Sequence, residues 1–152
     1  MCLVNIKRFR SNTRKARRFK VLQVFQKKLY SPVMNFKWEK GKINVSDCNH
    51  EQAGFHIFLD LANAVKFKQY LDEEQNQFEK ELVSHTKKIH VIVELEVINK
   101  SAEGITRYGE FYREFECPGE AWRQAKIIKV FDDKELPKCE GQEGAIICKE
   151  EE

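Results

Sequence analysis

The segment Gly54-Phe55-His56-Ile57-Phe58-Leu59-Asp60-Leu61-Ala62-Asn63-Ala64 contains the clearest change of pattern in the chain. Its first residues are mostly aromatic or β-branched and favour a strand, and Asp60 is a good N-cap for a helix that begins directly after it. Apolar residues from Leu61 to Leu71 then repeat at helical spacing. This segment predicts a strand followed by the one long helix of the fold, with a break near Glu73.

Further strands are predicted on both sides of that helix. Runs rich in aromatic and β-branched residues precede it at 19–25, 29–30 and 35–39, with a turn at 26–28. After the helix, residues 89–97 alternate as a strand with one buried face does, followed by a turn over 99–104, an extended segment over 108–116 and a closing strand over 125–131. Strands, one helix and more strands, without a βαβ rhythm, predict an α+β fold with a mostly antiparallel sheet.

The composition is that of a folded protein with a single core. The chain has 152 residues, of which 41% are hydrophobic, with only 7 Gly and 3 Pro. No run approaches the roughly 20 apolar residues that a membrane span needs, and the first residues lack a signal peptide's apolar region. The five cysteines are an odd number, and reduced thiols are the default in the cytosol. We therefore expect a cytoplasmic protein without a membrane partner.

Charge is distributed unevenly along the chain. Residues 1–20 carry eight of the 27 basic side chains and no acid, whereas residues 21–152 carry 24 acids and a net charge of −5. This predicts a basic N-terminal arm over 1–18, a single α+β domain over 19–131 and an acidic tail over 132–152. Such an arm suits nucleic acid, an acidic protein surface or anionic lipid. The alternatives are a solvated arm that contacts the chain's own acidic tail, and an organelle transit peptide.

The arm and two tryptophans are the candidate contacts to a nucleic acid or nucleoprotein. Lysines and arginines neutralise phosphates, and exposed indole rings can stack on bases. The alternative for both tryptophans is packing in the core, and the sequence holds no pattern for sequence-specific reading. The predicted binding residues are Lys7, Arg8, Arg10, Arg14, Lys15, Arg17, Arg18, Trp38 and Trp122.

The order of elements resembles the ADP-ribosyltransferase fold over residues 19–131. Residues 54–64 look like the glycine-led strand and helix start of poly-ADP-ribose polymerases, residues 92–97 are similar to the next strand, and residues 125–130 to the closing strand. The same Gly-Phe-His element also looks like one in small uncharacterised domains of phage and bacterial genomes. The resemblance implies a split sheet, and it suggests an origin in a phage or mobile element.

The resemblance also implies an NAD site. In that family a glutamate stabilises the oxocarbenium-like centre, so Glu110 and Glu114 are the candidate catalytic residues. The candidate NAD-binding residues are Lys20, Gly54, Phe55 and Tyr70. The first strand lacks the family's histidine, and the glutamates also fit the solvated face of a strand.

Other chemistry has less support in the sequence. Removal of Met1 would leave Cys2 with a free α-amino group, as in enzymes with N-terminal nucleophiles, but no further residue pattern accompanies it. Cys48-Asn49-His50 is too short for a structural zinc site, so we expect no metal. The leading prediction is a non-catalytic binding protein or inhibitor that engages a nucleic acid or nucleoprotein, without a cofactor. The alternative is an NAD-dependent ADP-ribosyltransferase or NAD glycohydrolase.

Overall fold

The computed structural model describes residues 2–32, 36–46, 54–79, 89–108, 115–136, 139–142 and 145–148. In these ranges the chain forms ten strands, one α-helix and a short 3-10 turn at Asp133–Glu135. The helix α1 spans Leu61–Glu79. The strands are β1 (Cys2–Arg8), β2 (Lys15–Phe25), β3 (Lys28–Tyr30), β4 (Lys37–Trp38), β5 (Ile43–Val45), β6 (Phe55–Phe58), β7 (Ile89–Tyr108), β8 (Phe115–Val130), β9 (Cys139–Gln142) and β10 (Ala145–Cys148).

Two long strands organise the main sheet. β7 and β8 pair antiparallel along most of their length. The other side of β7 pairs with β2 in its first half and with β1 in its second half. The other side of β8 pairs with β5 and β6, and β6 meets β2 at the single pair Phe19 and Phe58. Strands β2, β7, β8 and β6 therefore form a closed ring, and β3 and β4 extend the sheet beyond β2.

The core has two main parts because neighbouring residues of a strand point to opposite faces. Leu22 belongs to the cluster enclosed by the ring, together with Trp122 and the odd-numbered apolar residues of β7. Val21 belongs to the cluster between the sheet and α1, which also holds Phe58 and Phe67. The helix thus covers one outer face of the ring.

The predicted α+β class with a mostly antiparallel sheet is confirmed. The helix start is also confirmed, because the Asp60 carboxylate accepts a hydrogen bond from the Asn63 backbone N–H at 2.8 Å. The predicted break near Glu73 is wrong, since α1 continues through it. The predicted turn over 99–104 is wrong as well: β7 runs through it, and a left-handed Asn99 (φ 65°) with a register shift between Lys100 and Ala102 makes a bulge there.

The prediction that order begins only near Phe19 is wrong. Residues of the basic arm form β1 and the start of β2, because β7 supplies hydrogen-bonding partners for both strands. Leu3 anchors β1, since its side chain is 1% exposed and packs in a small cluster with Ala102 and Ala121. Within the predicted acidic tail, β9 and β10 pair with each other. No helix in the described ranges is long and apolar enough to cross a membrane.

Candidate functional site

A loop between β1 and β2 protrudes from the side of β7. Arg8 lies opposite Ala102 and Lys15 lies opposite Ile98. Six residues, 9–14, therefore lie where β7 advances by only three, and the surplus chain projects from the sheet. We call residues 9–14 the basic loop. It lies beside the bulge at Asn99, so two irregular segments face each other across the sheet.

Asn12 ties the basic loop together and to β7. Its backbone N–H donates to Asn99 Oδ1 at 3.0 Å, and its Nδ2 donates to the carbonyls of Arg10 and Lys100 at 2.6 and 2.9 Å. Its Oδ1 accepts from the backbone N–H groups of Arg14 and Lys100 at 3.1 and 3.2 Å. One side chain thus satisfies donors and acceptors on both sides of the loop, as asparagines in irregular backbone often do.

Arg123 of β8 holds the loop from below. Its Nη2 donates to the carbonyl of Phe9 at 2.7 Å, and its Nη1 donates to the carbonyl of Lys100 and to Asn99 Oδ1 at 2.9 and 2.8 Å. All of these acceptors are neutral. In the part of the chain that the structure describes, no carboxylate lies within 4.0 Å of this guanidinium. Arg123 therefore adds an unbalanced positive charge beneath the basic loop.

Phe9 is surrounded by cations. The Arg14 guanidinium lies 4.6 Å from the ring centroid, and the ammonium groups of Lys100 and Lys7 lie at 5.0 and 5.4 Å. Each contact at these distances is in the range of a cation–π interaction. The ring thus gathers three positive groups at one place on the sheet edge.

Lys100 connects the loop to a buried ion cluster. Its ammonium lies 2.6 Å from both Glu103 and Glu120, and Glu120 also accepts from Arg18 Nε at 2.7 Å. Burial alone would raise the pKa of Glu120, but hydrogen bonds from Arg18 and Lys100 outweigh it and hold that pKa below its usual value. Burial would lower the pKa of Lys100, and its carboxylate partners instead raise it. The cluster is internally balanced and stays charged near neutral pH.

Six cations along this side of the sheet are exposed, and we call them the basic edge: Lys7, Arg8, Arg10, Arg14, Lys15 and Arg17. Arg17 lies 3.5 Å from Glu94, although its side chain remains 74% exposed. Across the described ranges, no carboxylate lies within 4.0 Å of Lys7, Arg10, Arg14 or Lys15. These four side chains therefore present positive charge to solvent without a neutralising partner from those ranges.

Three of the predicted binding residues point into the protein instead. Trp38 and Trp122 are 3% and 2% exposed, so the prediction that they are available for stacking on bases is wrong. The indole N–H of Trp38 donates to Ser31 Oγ at 2.8 Å, and that of Trp122 donates to Glu120 at 3.1 Å. Arg18 bonds Glu120 in the buried cluster, because its position in β2 faces the inside of the ring.

The predicted NAD-binding residues do not form one open site. Lys20 is 5% exposed and donates to the carbonyl of His56 at 2.6 Å; burial lowers the pKa of its ammonium to about 8. Phe55 is buried inside the ring, whereas Tyr70 is buried in α1 with its ring 5.5 Å from that of Tyr108. Gly54 lies against the backbone of Trp122. Glu110 and Glu114 lie outside the described residues.

Two other groups have chemistry of their own. His90 Nδ1 lies 2.8 Å from Asp72, which also binds Lys68 at 2.9 Å; burial would raise the pKa of Asp72, but these hydrogen bonds lower it. The pair joins β7 to α1. Cys117 is buried, and burial raises the pKa of its thiol to about 12, so it is a poor nucleophile. In the described ranges no three His, Cys, Asp or Glu residues are grouped to hold a metal ion.

Sequence reasoning missed the residues that build the site. The polar run Ser11-Asn12-Thr13 between two basic stretches is a turn signal, and it could have marked the basic loop. Nothing local in the sequence marks Asn99, Lys100 or Arg123, because their roles depend on contacts with residues about 90 to 114 positions away. Comparison with known proteins adds no name: no protein-family model, curated protein or solved structure matches this chain.

Proposed function

We propose that this protein is a non-catalytic binding protein that engages a nucleic acid, or a nucleoprotein through its nucleic acid, by means of the basic edge. The observation that carries the proposal is the group of exposed cations on a loop held in one conformation. Lys7, Arg10, Arg14 and Lys15 lie without carboxylate partners in the described ranges, and Arg123 adds charge below them. A local excess of positive charge of this kind attracts polyanions and accelerates their association.

The hydrogen bonds of Asn12 and Arg123 support the proposal independently of charge. Ordering a flexible basic tail on a partner costs conformational entropy. Here Asn12 and Arg123 fix the backbone of the basic loop before any ligand arrives. A loop that is fixed by long-range side chains and displays arginines is an arrangement typical of a binding surface.

The finer predictions accompany this proposal without being needed for it. We retain as proposals a cytoplasmic location, an inhibitory role, an origin in a phage or mobile element and an ADP-ribosyltransferase-like split sheet. The NAD-dependent alternative stays a prediction, and its two glutamates lie outside the described residues. The buried positions of Lys20, Phe55 and Tyr70 give it no support.

The test is binding of a fluorescent DNA duplex, followed by anisotropy at about 50 mM salt, where phosphate contacts are strong. Truncation of residues 1–18 is unsuitable, because it removes β1 and the start of β2. The variant is instead Arg10→Gln with Arg14→Gln, which we expect to weaken binding about 10- to 100-fold.

The matched control is Lys28→Gln with Lys40→Gln, which removes the same charge from exposed positions away from the loop. The control should bind nearly as well as the original protein. Equal losses in both double variants would show that only net charge matters, and would overturn the assignment to the basic edge. Absence of nucleic-acid binding by the unmodified protein would overturn the proposed function itself.

A further inference from the structure

We infer that the basic edge binds the sugar-phosphate backbone of a nucleic acid duplex and does not bind single strands through their bases. This inference rests on the proposed function and names its ligand class. It follows from which groups accompany the cations on this surface, from the length of the row they form and from its rigidity.

The surface lacks a stacking platform. Proteins that hold single strands combine cations with exposed aromatic rings on which bases stack. Trp38 and Trp122 are buried, and the ring of Phe9 is partly buried with three cations around it. Within the described ranges the one exposed aromatic side chain is Phe25, 47% exposed. It ends β2 eight residues beyond Arg17, about 27 Å away along the strand.

The groups beside the cations suit phosphate oxygens. Ser11 and Thr13 are exposed in the basic loop between Arg10 and Arg14. Hydroxyl groups and guanidinium groups are common donors to phosphates, and such contacts position a protein on a duplex without reading its sequence. Guanidinium groups also bind phosphate with two parallel hydrogen bonds. The described part of the loop thus offers donors for a backbone and lacks exposed rings for bases.

The row of cations has a length that fits a stiff ligand. Lys7 lies opposite Glu103 and Arg17 lies opposite Glu96 on β7. Seven residues of strand span about 23 Å, which corresponds to about seven base pairs of a duplex. A duplex is straight over this distance and carries phosphates at twice the linear density of one strand. A rigid row of charges therefore gains more from a duplex than from a flexible single strand.

The experiment compares a duplex of about 16 base pairs, which exceeds the contact length, with each of its separated strands. Binding is followed by anisotropy of a label on the nucleic acid, and the emission of the protein's tryptophans is recorded in parallel. We expect the duplex to bind at least about tenfold more tightly than either strand, with little dependence on its sequence. Tryptophan emission should stay constant, because both indoles are buried.

The outcomes separate this inference from the proposed function. Single strands that bind as tightly as the duplex, or that quench tryptophan emission, would overturn the duplex inference and leave nucleic-acid binding intact. Failure of every nucleic acid to bind would overturn both. Vesicles rich in phosphatidylserine and free inorganic phosphate are the remaining arms, since each offers phosphate in another form. Tighter binding to the vesicles than to the duplex, or equal competition by millimolar phosphate, would also overturn the inference.

Discussion

Gly54 is a residue whose missing side chain permits the close contact between β6 and its neighbours. Its φ is +143°, and a Cβ there would lie 2.6 Å from Ser101 Oγ and 2.8 Å from the carbonyl oxygen of Trp122. We predict that Gly54→Ala lowers the free energy of unfolding by about 2 to 4 kcal/mol, because backbone strain adds to overpacking.

Gly41 supplies the matched control for that change. Its φ is +75°, but nothing lies within 4 Å of a Cβ built there. Gly41→Ala should therefore cost only the backbone strain, about 1 kcal/mol. Chemical denaturation of both variants measures the two costs, and equal losses would contradict the role given to the contact with Ser101 and Trp122.

Lys20 gives the stability of the protein a defined dependence on pH. Burial lowers its folded pKa from 10.5 to about 8. Between these values the unfolded chain holds the proton that the folded chain has released, so the free energy of unfolding should rise as pH increases from about 8 to 10.5. Below pH 8 the folded state bears the whole penalty, about 3 kcal/mol.

The measurement is the unfolding free energy of the original protein and of Lys20→Met across this pH range. The difference between the two curves should change as pH rises through the window. Cys117 acts in the opposite direction between pH 9.0 and about 12, because its folded thiol keeps the proton that the unfolded chain loses. That contribution is common to both proteins and cancels in the difference, so parallel curves would contradict the buried ammonium.

The basic loop shows how an element can be shaped by residues far from it in the sequence. Asn12 bonds Arg10, Arg14, Asn99 and Lys100 without carrying charge. We predict that Asn12→Ala weakens duplex binding by about three- to tenfold through loss of this pre-organised conformation. Far-ultraviolet circular dichroism should show that the sheet is retained.

Asn63→Ala is the control, because Asn63 bonds only its neighbour Asp60 at the exposed start of α1. It should leave duplex binding unchanged. Unaltered binding by Asn12→Ala would mean that the cations act without a fixed loop, and would remove conformational order from the account.

Elements with a local signal could be predicted from the sequence. The helix start depends on Asp60 and the turn at 26–28 on adjacent strand-forming runs, and both appear where expected, although Gln26 and Lys27 adopt positive φ without being glycine. The continuation of β7 through residues 99–104 could not be predicted. Its bulge depends on Asn99 accepting hydrogen bonds from Asn12 and Arg123, which are remote in the sequence.

At the scale of the molecule, the end-to-end placement of β1 and β2 along β7 turns a basic segment into a rigid surface. The charge excess of residues 1–20 was visible in the sequence, but its division was not. Arg18 and Lys20 face the inside of the ring, whereas Lys15 and Arg17 face solvent. That division depends on strand parity and on partners such as Glu120, which only the closed ring brings near.

The central claim is that exposed cations of the basic edge contact phosphates. The most direct test is the affinity for a DNA duplex as salt rises from about 50 to 200 mM, plotted as log affinity against log salt. With four to six phosphate contacts the slope should be about −4 to −5, and Arg10→Gln with Arg14→Gln should make it shallower by about two. A slope near zero, or one that this double variant leaves unchanged, would contradict the account.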